Sequence, residues 1–168
     1  MDFVGGLPMT KRDHEYLFVV VDIFNKMCVF IPCKKTIIGQ DAANLFFSHV
    51  WVHCGLPNSI ISDRDSRFLG KFWICLCEKM DTRLKRSTSF HPQMAGKIEV
   101  MNKIVVQLLR GCCGKHTKSW DEHLEYIQYS YNKAIYSSIN KSPFETCLGY
   151  LPPSPFDCVF GQQKDEED

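Results

Sequence analysis

Short apolar runs dominate the first third of the chain, and longer helical stripes dominate the rest. Leu17-Phe18-Val19-Val20-Val21 is unbroken and largely β-branched, the pattern of a strand buried on both faces. Cys28-Val29-Phe30-Ile31-Pro32 reads as the next strand, joined to it through Asn25-Lys26. From Gln40 to His53, apolar Ala43, Leu45, Phe46, Val50 and Trp51 recur at helical spacing, and Gly55 and Pro57 end the segment. Ile60-Ile61 is expected as a short strand whose carboxyl end delivers Asp63. A second helix is expected from Leu69 to Met80, then an extended piece from Arg83 to Ser87.

After Pro92 a loop is expected, then a helix from about Ala95 to Cys113. Its stripe of Ile98, Met101, Val105, Leu108, Leu109 and Cys112 is the pattern of a core-facing side. A last helix is expected over Trp120 to Ala134, with Leu124, Ile127 and Tyr131 on one side. The Ser/Pro-rich residues 137–160 are expected to form an irregular extension, and the acidic residues 161–168 a disordered tail. Residues 1–136 then make one domain. Strands first and helices afterwards give an α/β class with helices packed on a sheet.

Composition narrows this little. A chain of 168 residues with 45% hydrophobic and 23% charged content is ordinary for one globular domain. No apolar run is long enough for a membrane span and no signal-peptide pattern opens the chain, so a soluble, intracellular protein is expected. The net charge of +1 argues neither for nor against a nucleic acid. The nine cysteines form no Cys-x-x-Cys pair and read as structural thiols. His49 and His53 have the spacing of a helical metal pair, but no cysteine pair or acidic partner completes a site.

The carboxylates change the picture. Asp63 lies in Ser62-Asp63-Arg64-Asp65-Ser66-Arg67-Phe68, Glu99 closes His91-Pro92-Gln93-Met94-Ala95-Gly96-Lys97-Ile98-Glu99, and thirty-five residues separate the two. Asp2 stands in Met1-Asp2-Phe3-Val4-Gly5-Gly6-Leu7-Pro8. Taken singly, each acid reads as a surface carboxylate or a helix-end charge. Taken with their flanks, and with His53-Cys54-Gly55-Leu56-Pro57, Tyr131-Asn132 and Ser142-Pro143-Phe144-Glu145 in the same order, the pattern resembles the catalytic core of gypsy-type LTR-retrotransposon and retroviral integrases.

The resemblance implies a ribonuclease-H-like fold, a five-stranded mixed sheet with helices on both faces. It implies DNA integration, with Asp2, Asp63 and Glu99 as catalytic residues and ligands of Mg²⁺ or Mn²⁺. The chemistry expected is metal-dependent 3′-end processing and strand transfer on retroelement DNA. Two divalent ions about 3.5–4 Å apart suit such chemistry, and hard cations take oxygen ligands. Asn102 and Lys103, one turn beyond Glu99, with Arg64 and Gln93, are the expected DNA contacts. Expected partners are element ends, target DNA and further copies of the chain, with no membrane and no small-molecule substrate. The expected location is the nucleus.

The chain departs from the family at the loop, which usually reads Thr-Asp-Gly-Gln-Thr-Glu and here reads Met94-Ala95-Gly96-Lys97-Ile98-Glu99. Val100 and Val106 stand where basic residues are usual. The family's upstream His-His-Cys-Cys motif is not in this sequence, and Asp2 has one residue before it. These features suit a second reading, a truncated and catalytically inactive nucleic-acid-binding remnant of a retrotransposon polyprotein. A ribonuclease H ranks lower, because that enzyme does not carry the His-Pro-Gln-x-x-Gly-x-x-Glu block.

Overall fold

In a computed structural model of the chain, the described residues are 1–55, 57, 59–62, 65–80, 92–114, 117–155 and 157, with 80, 92–99 and 101 described by backbone alone. Three strands, β1 (Asp2–Val4), β2 (Tyr16–Val21) and β3 (Cys28–Cys33), form an antiparallel sheet in that order. Asp2 lies opposite Val19, and Val19 lies opposite Phe30. The expected strands at 17–21 and 28–32 are both present.

Because successive strand side chains point to opposite faces, β2 serves two cores at once. Phe18 packs with Phe3, Ile31, Phe68, Phe72 and Leu76 on one face. Leu17 and Val19 pack with Val4, Phe30, Val105, Leu109, Ile127 and Tyr131 on the other. Leu17, Phe18 and Val19 are buried to 2% exposure or less, as a strand covered on both sides requires. Each such side chain contributes about 1.5–3 kcal/mol of hydrophobic stabilisation.

The first face is covered by α1 (Gly39–Phe46), a 3-10 turn (Ser66–Phe68) and α3 (Lys71–Met80). The helix expected to run unbroken from Gln40 to His53 instead loosens after Phe46. It passes through a π-helical segment (Phe47–Trp51) into the short α2 (Val52–Cys54). Ser48 Oγ donates to the Asn44 carbonyl at 2.9 Å, a bond that competes with the helical ladder, and Phe47 stacks on Trp51 with ring centroids 4.3 Å apart. Gly39 admits no side chain, since a Cβ there would stand 2.9 Å from the Arg67 carbonyl oxygen.

The second face is covered by α4 (Pro92–Cys113), a 3-10 segment (Thr117–His123) and α5 (Leu124–Lys133). The helix α4 begins at Pro92, not near Ala95, so the loop expected after Pro92 is helical. Proline at a first helical position loses no hydrogen bond, which explains the early start. Cys113 rather than Cys112 is buried at its end. Trp120 and the residues up to His123 are 3-10, and α5 starts only at Leu124.

The strand expected at Ile60-Ile61 is a further departure within the described residues. Ile60-Ile61 is not a ladder strand, although it runs beside β1: the Met1 nitrogen donates to the Ile61 carbonyl at 2.7 Å. The Ser/Pro-rich stretch contains α6 (Pro143–Leu148). Its start is a capping box, with Glu145 N–H donating to Ser142 Oγ at 3.1 Å and Ser142 N–H to Glu145 Oε2 at 2.9 Å. The Ser142 hydroxyl, at 2.7 Å, and then the Ser142 N–H donate to this carboxylate and hold it below its usual range. The extended piece expected at 83–87 and the acidic tail lie outside the described residues, and the sheet has three strands among the described ones.

Candidate active site

Asp2 begins β1 on the same face as Val4, two residues on. Val4 packs into the core beside Val105 and Leu109 of α4, so Asp2 is turned toward the same helix. There Asn102 Nδ2 donates to Asp2 Oδ2, and Phe3 N–H donates to Asp2 Oδ1 at 2.7 Å. The amide nitrogen must face the carboxylate, because the flipped amide would set oxygen against oxygen.

That bond seats a particular stripe of α4 on the start of β1. Glu99 lies three residues before Asn102, one turn away on the same side of the helix. Its backbone is helical and its side chain lies outside the described residues, as does that of Gln93 in the first turn. Lys103 is exposed next to Asn102. Asp63 and Arg64 lie outside the described residues, although Ile61, which bonds to Met1, is only two residues before Asp63. Of the seven expected site residues, the structure brings together Asp2 and Asn102 and sets the Glu99 backbone beside them.

Asn102 Oδ1 is buried and has no hydrogen-bond partner among the described residues. A buried, unsatisfied amide oxygen beside a carboxylate is costly in isolation and fits a site built to take a hard cation or its water. Among the described residues no group of three His, Cys, Asp or Glu side chains assembles into a metal site, and two of the three expected ligands lie outside that set.

Sequence reasoning passed over Asp65 and Arg67. Asp65 accepts from Arg67 N–H at 2.9 Å and from Arg67 Nε at 2.8 Å, and its second oxygen meets Arg67 Nη2. The Arg67 guanidinium lies over the Phe3 ring, 3.9 Å from its centroid, and over Tyr16 at 5.0 Å. The hydrogen bond from Arg67 holds the Asp65 carboxyl below its usual range, and Asp65 raises Arg67 in return. The signal was the opposite charge two residues apart within the SDRDSRF block.

Other polar clusters are structural. Asp121, nearly buried, accepts from Thr10 Oγ1 at 3.0 Å and meets His14 Nδ1 at 2.8 Å, pinning the β1–β2 loop to the segment before α5. Trp120 Nε1 donates to the Pro8 carbonyl at 2.7 Å in the same place. Burial pushes the Cys33 thiol up to about 12 and raises Cys28 as well, which suits inert core thiols. All described cysteines are free. No described helix is long and apolar enough to cross a membrane.

No protein-family profile matches the chain. It is 36% identical over 168 residues to the transposon Tf2-3 polyprotein of Schizosaccharomyces pombe, covering 99% of this chain and 12% of that polyprotein. Among solved structures, a simian T-cell lymphotropic virus intasome in complex with the PP2A regulatory subunit B56 gamma superposes over 92% of this chain and 56% of its own. The TM-score is 0.69 at 19% identity. The HTLV-2 integrase catalytic core domain in complex with magnesium, in a trimeric form, covers 85% of this chain and 99% of its own, with TM-score 0.63 at 19% identity. At that identity the likeness establishes the fold, ribonuclease-H-like α/β.

Proposed function

Since the chain belongs to the integrase cores of LTR retrotransposons, we propose that it performs metal-dependent 3′-end processing and strand transfer of element DNA. The observation that carries this reading is the Asn102–Asp2 hydrogen bond, which lays the Glu99 side of α4 against the strand that begins with Asp2. The Met1–Ile61 bond adds the segment leading to Asp63 at the other edge of β1.

Asp2, Asp63 and Glu99 would hold Mg²⁺ or Mn²⁺. A bound pair supplies an activated oxygen nucleophile at neutral pH and neutralises charge on the scissile phosphate. The residues around it have separate tasks. Asn102 fixes the rotamer of Asp2 through one oxygen and leaves the other to Phe3 N–H. Lys103, exposed on α4, contacts DNA phosphates, giving affinity without sequence preference, a task shared with Arg64 and Gln93. The transfer needs no covalent protein intermediate, so no serine or cysteine nucleophile is required.

The same reading extends the three strands to five, and treats residues 1–136 as the core domain with 137–160 and 161–168 as appendages. Element ends, target DNA and further copies of the chain are the partners, because two DNA ends must be joined, and the nucleus is the site of action. Glu99→Gln should abolish strand transfer in a Mg²⁺ or Mn²⁺ assay and leave the thermal midpoint within a few degrees. Unchanged transfer would contradict the assignment.

The inactive, DNA-binding remnant remains the second reading. Val100, directly after Glu99, is 56% exposed, an apolar residue on a surface that DNA would cover. That reading requires wild-type protein to bind DNA with no response to divalent metal.

A further inference from the structure

The strand that carries Asp2 lies at an edge of the sheet among the described residues. Other contacts hold it. The Met1 nitrogen, on one side of Asp2, bonds to Ile61. Phe3, on the other side, stacks on Phe18 and Phe68 with centroids 4.7 and 4.9 Å away and lies under the Arg67 guanidinium. Thus the two neighbours of Asp2 grip Ile61 and Arg67, the residues that bracket the stretch containing Asp63 in sequence.

We infer that Arg67 is a positioning residue for the Asp2 carboxylate: fixed by Asp65, its guanidinium clamps Phe3 and so sets how β1 presents Asp2 to the loop that leads away from Asp63. This rests on the metal-dependent reading given above.

The chemistry of the clamp points to geometry more than to stability. Arg67 and Asp65 have side chains only 17% and 19% exposed, and a partly buried ion pair is seldom more stabilising than an apolar side chain of the same volume. A methionine would fill the space against Phe3 and Tyr16. What it would lack is the planar fork, which fits the Asp65 carboxylate in two places while its face lies on an aromatic ring. The fork therefore ties a loop to a strand in one orientation. Gly5 shapes the same spot: a Cβ there would stand 2.7 Å from the Tyr16 ring, which lies over Gly5 just past the end of β1 and beside Arg67.

Electron paramagnetic resonance of Mn²⁺-loaded protein tests this, because two neighbouring ions give an exchange-coupled signal that core stability alone does not control. Wild type should show the coupled signal. Arg67→Met should lose it and bind Mn²⁺ about 10-fold more weakly, the order found when a residue supporting a metal ligand is removed. Arg67→Lys, which keeps charge and stem but not the fork, should lie between the two and carries the test where Arg67→Met does not fold by circular dichroism. A coupled signal and affinity equal to wild type in a folded Arg67 variant would overturn the inference while leaving the metal reading intact. Wild type without Mn²⁺ binding would overturn the metal reading itself, and the inference with it.

Discussion

Two asparagines on helices of the same layer meet opposite edges of the sheet, and they are used differently. Asn132, on α5, lies 1% exposed against β3 and uses its whole amide: Oδ1 accepts from Cys28 N–H and Nδ2 donates to the Cys28 carbonyl, both at 2.9 Å. One helical turn earlier, Gln128 Oε1 accepts from Phe30 N–H at 2.7 Å. Together they stand in for a fourth strand and close the edge of β3. Asn102, on α4, spends its nitrogen on Asp2 and leaves its oxygen buried without a partner among the described residues. Where a buried amide is fully satisfied by backbone, its role is structural. Where half of it is left over and the other half holds a carboxylate, the amide serves that carboxylate and not the backbone.

That contrast is sharpened most by Asn132→Ala. It strands a buried N–H and a buried C=O on Cys28, each costing about 1–3 kcal/mol. A loss of several kcal/mol in urea unfolding is expected, with metal affinity unchanged in the folded fraction. Asn102→Ala should do the reverse, lowering strand transfer about 10- to 100-fold at an almost unchanged urea midpoint. Equal effects of the two substitutions on stability would remove the distinction.

A smaller effect is expected from the Asp65–Arg67 pair. Asp65 is held below its usual range in the folded state, so it adds stability above its unfolded value, near pH 4, and that stability is lost as pH falls through the folded value. Asp65→Asn should therefore lower the melting temperature modestly in the neutral region, flatten the acid limb below about pH 4 and converge on wild type at low pH. The smallest effect concerns the thiols. At pH 8 the exposed Cys112 and Cys147 should react with a thiol reagent in folded protein, whereas Cys28 and Cys33 should react only on unfolding.

The two edges also differ in how legible they were. Unbroken apolar runs disclosed β2 and β3, because a strand buried on both faces shows no polar alternation. The core stripe of α4 was visible through Val105 and Leu109, and the acids through their flanks. Contacts between distant residues were not. Tyr131-Asn132 was recognisable as a block, yet nothing local says that the amide caps Cys28, more than a hundred positions away. Arg67 was hidden for the same reason, since its aromatic partners lie in β1 and β2. The α6 helix had a local signal, Ser142-Pro143-Phe144-Glu145, which is a capping box with proline at the first helical position. Ser/Pro-rich composition outweighed it. The π-helical turn at Phe47–Trp51 left no mark, because a single added residue scarcely disturbs helical spacing.

Anomalous diffraction from crystals grown with Mn²⁺ addresses the centre of the matter. Two peaks about 3.5–4 Å apart are expected, bound by the carboxylates of Asp2, Asp63 and Glu99 with Asn102 against Asp2. Carboxyl groups more than roughly 10 Å apart with manganese elsewhere or nowhere, too wide a gap for a shared ion pair, would contradict it.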